Sequence, residues 1–169
     1  MTRHAYADTS LGRLLLVADG DSVTGLYFED HHHPPVVSDL GTEVTLGNDE
    51  LLAAAADELC EYLAGSRQDF SVPLRADGDA FSTRVWKRLR AIPYGSTVTY
   101  GELARELGNP HLSQRVGQAV GQNPLCVLIP CHRVMGSDGS LTGYAGGLDR
   151  KRTLLALEEP PADQTDRLF

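Results

Sequence analysis

The first third of the chain has a pattern of apolar and polar positions that predicts a small sheet followed by one helix. Residues 5–28 contain an apolar run, a turn at Asp19-Gly20-Asp21 and a stretch in which apolar and polar residues roughly alternate. Beyond them apolar residues recur at helical spacing, and we expect this helix to begin at a cap on Asn48 and to end at Gly65. Its apolar stripe, which would pack on the sheet, consists of Leu51, Leu52, Ala55, Ala56, Leu59, Cys60 and Leu63.

The second half of the chain has the spacing of several helices. Apolar positions repeat along residues 81–92, with basic residues crowding the opposite side. Thr99 and Glu102 stand at the spacing of a capping box, which predicts a short helix over residues 100–107. An Asn-Pro pair favours another helix start and predicts a second helix over residues 109–122. Two short helices joined by a tight turn are typical of a helix-turn-helix.

Two further elements complete the predicted C-terminal half. The apolar run Val127-Leu128-Ile129 is interpreted as a buried strand that Pro130 ends, because proline cannot donate a hydrogen bond to a sheet. Residues 148–157 form the last predicted helix, with leucines on its apolar side. We expect its three consecutive bases to be exposed; they are Arg150, Lys151 and Arg152.

These elements divide the chain into two parts. Residues 1–79 are predicted to form an α/β N-terminal domain that ends in a polar linker at residues 65–79. Residues 80–169 are predicted to form a mostly α C-terminal domain that contains the helix-turn-helix. A chain of this length can bury a core in one or two domains.

Charge differs sharply between the two parts. Before Ala80 there are four bases and fifteen acids, a net charge of −11, whereas residues 80–157 hold ten bases and four acids, a net charge of +6. An acidic part joined to a basic part is expected when only one of them contacts phosphates. Charge alone also fits a solvated basic face that has no partner, so it indicates nucleic-acid binding only together with the helix-turn-helix.

The cysteine pattern excludes a disulfide framework and singles out one residue. Three cysteines without paired spacing favour a reducing compartment, and ordinary packing accounts for Cys60 and Cys126. Cys131 follows the predicted buried strand, and the next two residues, His132 and Arg133, are basic. Burial raises the pKa of a thiol whereas nearby positive charge lowers it and favours the nucleophilic thiolate. Cys131 is therefore the candidate nucleophile.

Two other stretches bear on metal binding and on location. The run His31-His32-His33 has no acidic or thiol residue at a spacing that would complete a tetrahedral metal site, so we interpret it as an exposed loop and expect no metal. Neither the N-terminal segment nor any later run has the apolar length of a signal or a membrane span, so we expect a cytoplasmic protein that does not associate with a membrane.

Four separated blocks in residues 81–158 resemble one family. They are Asn123-Pro124, the stretch from Ile129 to Val134, residues 143–148 and residues 154–158. At this spacing the chain is similar to the O6-alkylguanine-DNA alkyltransferases, also called methylated-DNA-protein-cysteine methyltransferases. The resemblance implies a ribonuclease-H-like N-terminal sheet domain and a winged-helix-like C-terminal domain. It also implies repair of double-stranded DNA that contains O6-alkylguanine, by a monomer that uses no cofactor.

The resemblance assigns a role to each of five residues. Cys131 would take the alkyl group irreversibly, so that each molecule acts once. His132 would act on Cys131 as a base through a water, and Glu158 would orient His132. Tyr100 would donate a proton to the departing base and crowd the target phosphate while the nucleotide flips out of the duplex. Asn123 would organise the turn before Cys131.

Contacts to DNA are expected from the second helix of the helix-turn-helix, which on the resemblance enters the minor groove. Gly117 and Gly121 leave one face of this helix small, so that another backbone can come close. Counting back from Asn123 places Gln114 where the family has an arginine that fills the gap of the flipped base. Arg115 is the neighbouring alternative, and we favour Gln114 in the gap with Arg115 near a phosphate. The remaining candidate contacts are Val134, Tyr144, Ala145 and Lys151.

Two other functions compete with alkyl transfer. A sensor that binds alkylated bases without reacting would keep the helix-turn-helix but lack the acceptor cysteine, whereas this chain has Cys131, His132 and Glu158 together. A thiol hydrolase would need an oxyanion hole, and nothing in the sequence marks one. Adduct size, activity on O4-methylthymine and cooperative binding along DNA stay open.

Overall fold

The N-terminal part is a four-stranded sheet covered by one helix. The computed structural model describes residues 1–31, 33–136, 138–141 and 143–159. Three antiparallel strands form a meander, and a short fourth strand runs parallel to the first, giving the order β3-β2-β1-β4. The strands are β1 (Thr2–Thr9), β2 (Gly12–Asp19), β3 (Ser22–Phe28) and β4 (Thr42–Glu43).

Helix α1 (Glu50–Leu63) packs on this sheet, but its start and its buried face differ from the prediction. Its cap is Asp49, whose carboxylate accepts a hydrogen bond from the Leu52 backbone at 3.0 Å, because the predicted cap, Asn48, ends a 3-10 turn instead. The buried face is centred one position away from the predicted stripe. It therefore takes in Tyr62 and leaves Cys60 exposed, so the predicted packing of Cys60 is wrong.

The predicted linker is attached to the sheet. In residues 65–79 the Pro73 carbonyl accepts a hydrogen bond from the Val23 backbone at 2.8 Å, and the Arg75 backbone donates to the Val23 carbonyl at 3.0 Å. This segment therefore runs beside β3 and leads directly into the next helix.

As far as residue 159, the described C-terminal part contains four α-helices and a two-stranded parallel sheet. The helices are α2 (Ala80–Arg90), α3 (Tyr100–Glu106), α4 (Ser113–Gly121) and α5 (Leu148–Glu158), and the strands are β5 (Val98–Thr99) and β6 (Val134–Met135). Trp86 fixes α2 against α4, because its indole nitrogen donates to the Ala119 carbonyl at 2.8 Å. An α/β part followed by a mostly α part confirms the predicted fold class. Among the described residues, no helix is long and apolar enough to cross a membrane.

The helix-turn-helix is formed by α3 and α4. Thr99 is confirmed as the cap of α3, since its hydroxyl accepts a hydrogen bond from the Glu102 backbone at 3.1 Å and donates one to the Glu102 carboxylate at 3.2 Å. The second helix begins later than predicted. Asn109 caps a 3-10 turn, Pro110–Leu112, and the α-helix starts only at Ser113.

The predicted strand at Val127-Leu128-Ile129 is wrong, although the run is buried as expected. These residues form a tight turn in which Val127 has a φ of 72°, and the Ile129 backbone donates to the Leu125 carbonyl at 2.8 Å. The Asn123 side chain closes the turn, because its Oδ1 accepts from the Leu125 backbone at 3.0 Å and its Nδ2 donates to the Ile129 carbonyl at 2.9 Å. Five residues between two prolines are held as a loop that delivers Cys131.

The two parts are joined near this loop. The Leu26 backbone on β3 donates to the Pro124 carbonyl at 2.8 Å, so the segment after α4 adds to the N-terminal sheet. Arg150 on α5 reaches back as well, donating to the Leu11 carbonyl at 2.9 Å and pairing with Asp30. Arg150 is therefore half-buried between the two parts, contrary to the predicted exposure.

Candidate active site

Cys131 lies at the base of a cavity beside the helix-turn-helix. It opens the 3-10 turn Cys131–Arg133, and its backbone donates to the Ile129 carbonyl at 2.8 Å. The cavity encloses about 430 Å³. Its walls come from the start of α3, one face of α4 and the loop before α5; they include Tyr100, Gly117, Gly121, Tyr144 and Ala145. These five predicted site residues thus meet around the sulfur.

The surroundings of Cys131 favour the thiolate. A hydrogen bond with Cys126, whose sulfur is 3.9 Å away, lowers the pKa of Cys131 most strongly. Burial opposes this effect, whereas the Asn123 side chain and the charge of Lys151 add to the lowering of that pKa. The pKa of Cys126 is raised by the same hydrogen bond and by burial. Of the two thiols, Cys131 is therefore the one that loses its proton more readily.

His132 is fully buried behind the cysteine and is neutral at physiological pH. Burial lowers its pKa below the usual 6.5, although Glu158 opposes this shift. Its Nε2 lies 2.9 Å from a Glu158 oxygen, and the carboxylate requires Nε2 to carry the proton. The other ring nitrogen, Nδ1, is buried and has no hydrogen-bond partner among the described residues. Nδ1 is therefore the basic nitrogen of this ring.

Glu158 is the centre of a buried hydrogen-bond network that the sequence did not reveal. Arg133 donates to both carboxylate oxygens at 2.7 Å, and the Tyr62 hydroxyl on α1 also donates to the carboxylate. Although burial raises the pKa of Glu158, the hydrogen bonds from His132 and Arg133 outweigh it and lower that pKa to about 2. Glu158 is thus ionised and fixed, and the N-terminal part contributes directly to the site through Tyr62.

Lys151 is fully buried, so its predicted exposure is wrong. Its ammonium group donates to the Val134 carbonyl at 2.6 Å and to the Gly143 carbonyl at 3.3 Å. These carbonyls, together with the nearby Cys131 thiolate, draw the long side chain inward. Burial lowers the pKa of Lys151 to about 8, against the opposing effect of Cys131. Val134, whose carbonyl accepts from Lys151, is itself buried and, unlike Tyr144 and Ala145, does not line the cavity.

The outer face of α4 distinguishes Gln114 from Arg115. One face of α4 holds Gln114, Gly117 and Gly121, which follow one another at spacings of three and four residues. This face lines the cavity at the two glycines. Arg115 instead places its guanidinium 4.0 Å from the centre of the Phe81 ring on α2. Both side chains are exposed, but they point in different directions.

The predicted exposure of the histidine run is wrong for His31, whereas His33 is exposed as predicted. His31 is buried, with an exposed fraction of 7% and its Nε2 lying 3.9 Å from the sulfur of Cys126. His33 lies at the rim of the Cys131 cavity, beside Gly121. His32 lies outside the described residues. The N-terminal part therefore reaches the site a second time, through this loop.

Several bases counted toward the positive charge of the C-terminal part are not available to phosphates. Arg133 and Lys151 are buried, Arg150 joins the two parts, and Arg88 is paired with Glu106. The exposed cations are fewer than the sequence total indicates; on and around the helix-turn-helix they include Arg84, Lys87, Arg90, Arg105 and Arg115.

An activated, buried cysteine next to a helix-turn-helix defines a class of DNA-binding proteins that react through a thiolate. Two family models match the chain: the ribonuclease-like domain of 6-O-methylguanine DNA methyltransferase over residues 2–76 and the DNA binding domain of the same family over residues 80–160. The chain belongs to this family, as the resemblance predicted.

Similar proteins cover the chain from end to end. A methylated-DNA–protein-cysteine methyltransferase of Mycolicibacterium paratuberculosis is 41% identical, covering 100% of this chain and 99% of its own length. One from Haemophilus influenzae is also 41% identical, over 94% of this chain and 87% of its own. The crystal structure of Mycobacterium tuberculosis O6-methylguanine methyltransferase superposes with a TM-score of 0.83 at 40% identity, covering 98% of each chain. The M. tuberculosis OGT in complex with DNA gives 0.82 at 39% identity, covering 96% of this chain and 98% of its own.

Proposed function

We propose that this protein repairs DNA by transferring an alkyl group from O6 of guanine in a duplex to the sulfur of its own Cys131. The observation that carries the proposal is a cysteine with a lowered pKa at the base of a cavity walled by the second helix of a helix-turn-helix. A nucleophile there cannot reach a base inside the stack, so the damaged nucleotide must flip into the cavity. The cost of flipping is a few kcal/mol and is smaller for a badly paired base.

The reaction is a single displacement. The Cys131 thiolate attacks the alkyl carbon, a sulfur–carbon bond forms, the carbon–O6 bond breaks and its electron pair goes to guanine. Guanine leaves more readily when it takes up a proton, and the hydroxyl of Tyr100, on the wall of the cavity, is the proposed donor. The product is a neutral thioether that water cannot displace, so each protein molecule is consumed and no cofactor is needed.

His132 and Glu158 keep the thiol ionisable. The fixed carboxylate of Glu158 holds the proton of His132 on Nε2 and leaves Nδ1 able to accept the thiol proton through a water. Lys151 stabilises the resulting thiolate from the other side. The buried ion pair of Arg133 with Glu158 keeps this arrangement rigid.

The proposed DNA contact is made by α4 in the minor groove. Gly117 and Gly121 allow a close approach, and Gln114, on the same face, fills the gap of the flipped base as a neutral hydrogen-bonding side chain. Stacking on Phe81 keeps Arg115 out of that gap and leaves it beside a phosphate. We propose that the protein acts as a monomer in the cytoplasm.

Intact-mass measurement after incubation with a duplex that contains one O6-methylguanine tests the function. We expect a gain of one CH2 per protein, mapped to the peptide that contains Cys131, and no gain with the unmethylated duplex. Saturation at one equivalent would show that the protein is consumed. Binding of the methylated duplex without any gain in mass would favour the sensor and refute alkyl transfer.

A further inference from the structure

Two groups close to Cys131 have no role in the proposed reaction. The sulfur of Cys126 is 3.9 Å from that of Cys131 and 3.9 Å from the Nε2 of His31. Cys126 and His31 are buried, and they come from different parts of the chain. Cys126 thus connects a histidine of the N-terminal part to the nucleophile.

The positions of the protons on these three side chains follow from His31. The Phe28 backbone N–H points at Nδ1 of His31 at 3.3 Å, so Nδ1 must accept and Nε2 must carry the proton of the neutral ring. Nε2 can then only donate, and the sulfur of Cys126 lies within its reach as an acceptor. A sulfur that accepts from His31 has its own S–H proton directed elsewhere.

That S–H group lies 3.9 Å from the Asn123 carbonyl oxygen and 3.9 Å from the Cys131 sulfur, and the Tyr144 hydroxyl also interacts with Cys126. While Cys131 is a neutral thiol, it donates to Cys126; once it has lost its proton, its sulfur can only accept. The carbonyl oxygen disfavours a negative charge on Cys126, whereas Lys151 favours one on Cys131. Once Cys131 is ionised it is the stronger acceptor, because hydrogen bonds to charged groups are stronger than those between neutral groups.

We propose that Cys126 is a positioning residue of the alkyl-transfer site: its S–H group donates a hydrogen bond to the Cys131 thiolate, and the Nε2–H group of His31 holds Cys126 in that orientation. The proposal rests on the proposed function for its biological meaning. It gives Cys126 a chemical role where packing alone had been expected. It also explains why the N-terminal domain inserts a buried histidine next to the site.

The test measures the thiolate without DNA, through the pH dependence of iodoacetamide addition to the Cys131 peptide. All variants carry Cys60→Ala, which removes the exposed thiol on α1. Cys126→Ala should raise the pKa of Cys131 by about one unit and slow the reaction about tenfold at neutral pH, with rates that converge at high pH. Cys126→Ser keeps a donor, so it should produce less than half of that shift.

Other titratable groups that face the sulfurs or their cavity remain in place in the Cys126 variants, as does His132, the residue that follows Cys131 in the chain. The facing groups are Tyr27, His31, His33, Tyr100, Tyr144 and Lys151. No shift in either variant, or equal shifts in both, would overturn the proposal, because a packing defect does not distinguish serine from alanine by its donor. Thermal melts identify any variant that fails to fold.

His31→Leu provides the second arm of the test. It should raise the pKa of Cys131 by less than Cys126→Ala does, and it should add nothing when combined with Cys126→Ala, because His31 acts through Cys126. A full additive shift in the double variant would overturn the role of His31. If the shifts appear as expected while the parent protein takes no methyl group from DNA, the hydrogen bond stands and the proposed function fails.

Discussion

Replacing Glu158 with glutamine tests the network behind the nucleophile, since it removes one charge and almost no volume. The carboxylate has an exposed fraction of 2%. It accepts hydrogen bonds from two nitrogens of Arg133 at 2.7 Å, from His132 at 2.9 Å and from Tyr62. An amide can accept at one atom only, and its NH2 group would face the donors of Arg133.

The pKa of Glu158 gives the expected magnitude. A fall from the ordinary 4.5 to about 2 corresponds to about 3 kcal/mol in favour of the ionised folded state. Removing one partner of a buried ion pair costs roughly the same, about 3–5 kcal/mol. In a chain of this size, a loss of about 3 kcal/mol lowers Tm by roughly 6–12 °C.

Urea unfolding and thermal melts at pH 7 measure the loss, with Glu29→Gln as the matched control on an exposed carboxylate. We expect Glu29→Gln to stay within about 0.5 kcal/mol of the parent protein. We also expect Glu158→Gln to slow alkyl transfer at least about tenfold, because His132 loses the group that fixes its proton. A Glu158→Gln protein as stable as the control would refute the energetic role assigned to the network.

Three other predictions concern His132 and the outer face of α4. Because burial holds the pKa of His132 below 6.5, the folded state binds this proton less readily than the unfolded state does, and stability should fall as the pH drops below 6.5. The urea midpoint of His132→Phe should therefore fall less steeply between pH 7.5 and 5.5 than that of the parent protein. Gln114→Ala should slow transfer from a methylated duplex but not from free O6-benzylguanine, whereas Arg115→Ala should weaken DNA binding and reduce its salt dependence. If Arg115→Ala leaves the salt slope unchanged and binds DNA no more weakly than Gln114→Ala does, this assignment is contradicted. Gly117→Ala should fold normally, since the added Cβ meets the Tyr100 ring only at the ordinary contact distance of 3.9 Å, yet it should weaken duplex binding several-fold in a gel-shift titration. Undiminished binding would mean that α4 does not approach DNA through this face.

Local signals in the sequence predicted most of the helices. The Thr99 cap and the apolar repeats of α1 and α2 depend on neighbours within one or two turns, so the sequence contains the information needed to place them. The predicted leucine side of α5 is wrong, because its buried residues are Lys151, Leu154 and Glu158. The turn at Val127 was not predicted, because its local sequence does not determine its conformation. A short apolar run is equally compatible with a strand and a buried loop, and here the Asn123 side chain decides in favour of the loop.

The nucleophile and its supporting pair, His132 and Glu158, could be named from the sequence, whereas the residues from the N-terminal part could not. Cys131 and its basic neighbours stand together in the chain, but Tyr62 and His31 come from distant elements that meet the site only after folding. The buried position of Lys151 was equally hidden, because a basic residue on a helix normally faces solvent. The carbonyls of Val134 and Gly143, which accept its hydrogen bonds, come from β6 and from the loop before α5, and they meet the lysine only after folding.

The most direct test of the account measures O6-methylguanine remaining in a duplex after incubation with the protein or with its Cys131→Ser variant. Nucleoside chromatography of the digested DNA should show that the parent protein removes one equivalent of the lesion. The serine variant should remove none while it still shifts the methylated duplex in a gel. Removal of the lesion by the serine variant would contradict the claim that the sulfur of Cys131 is the acceptor.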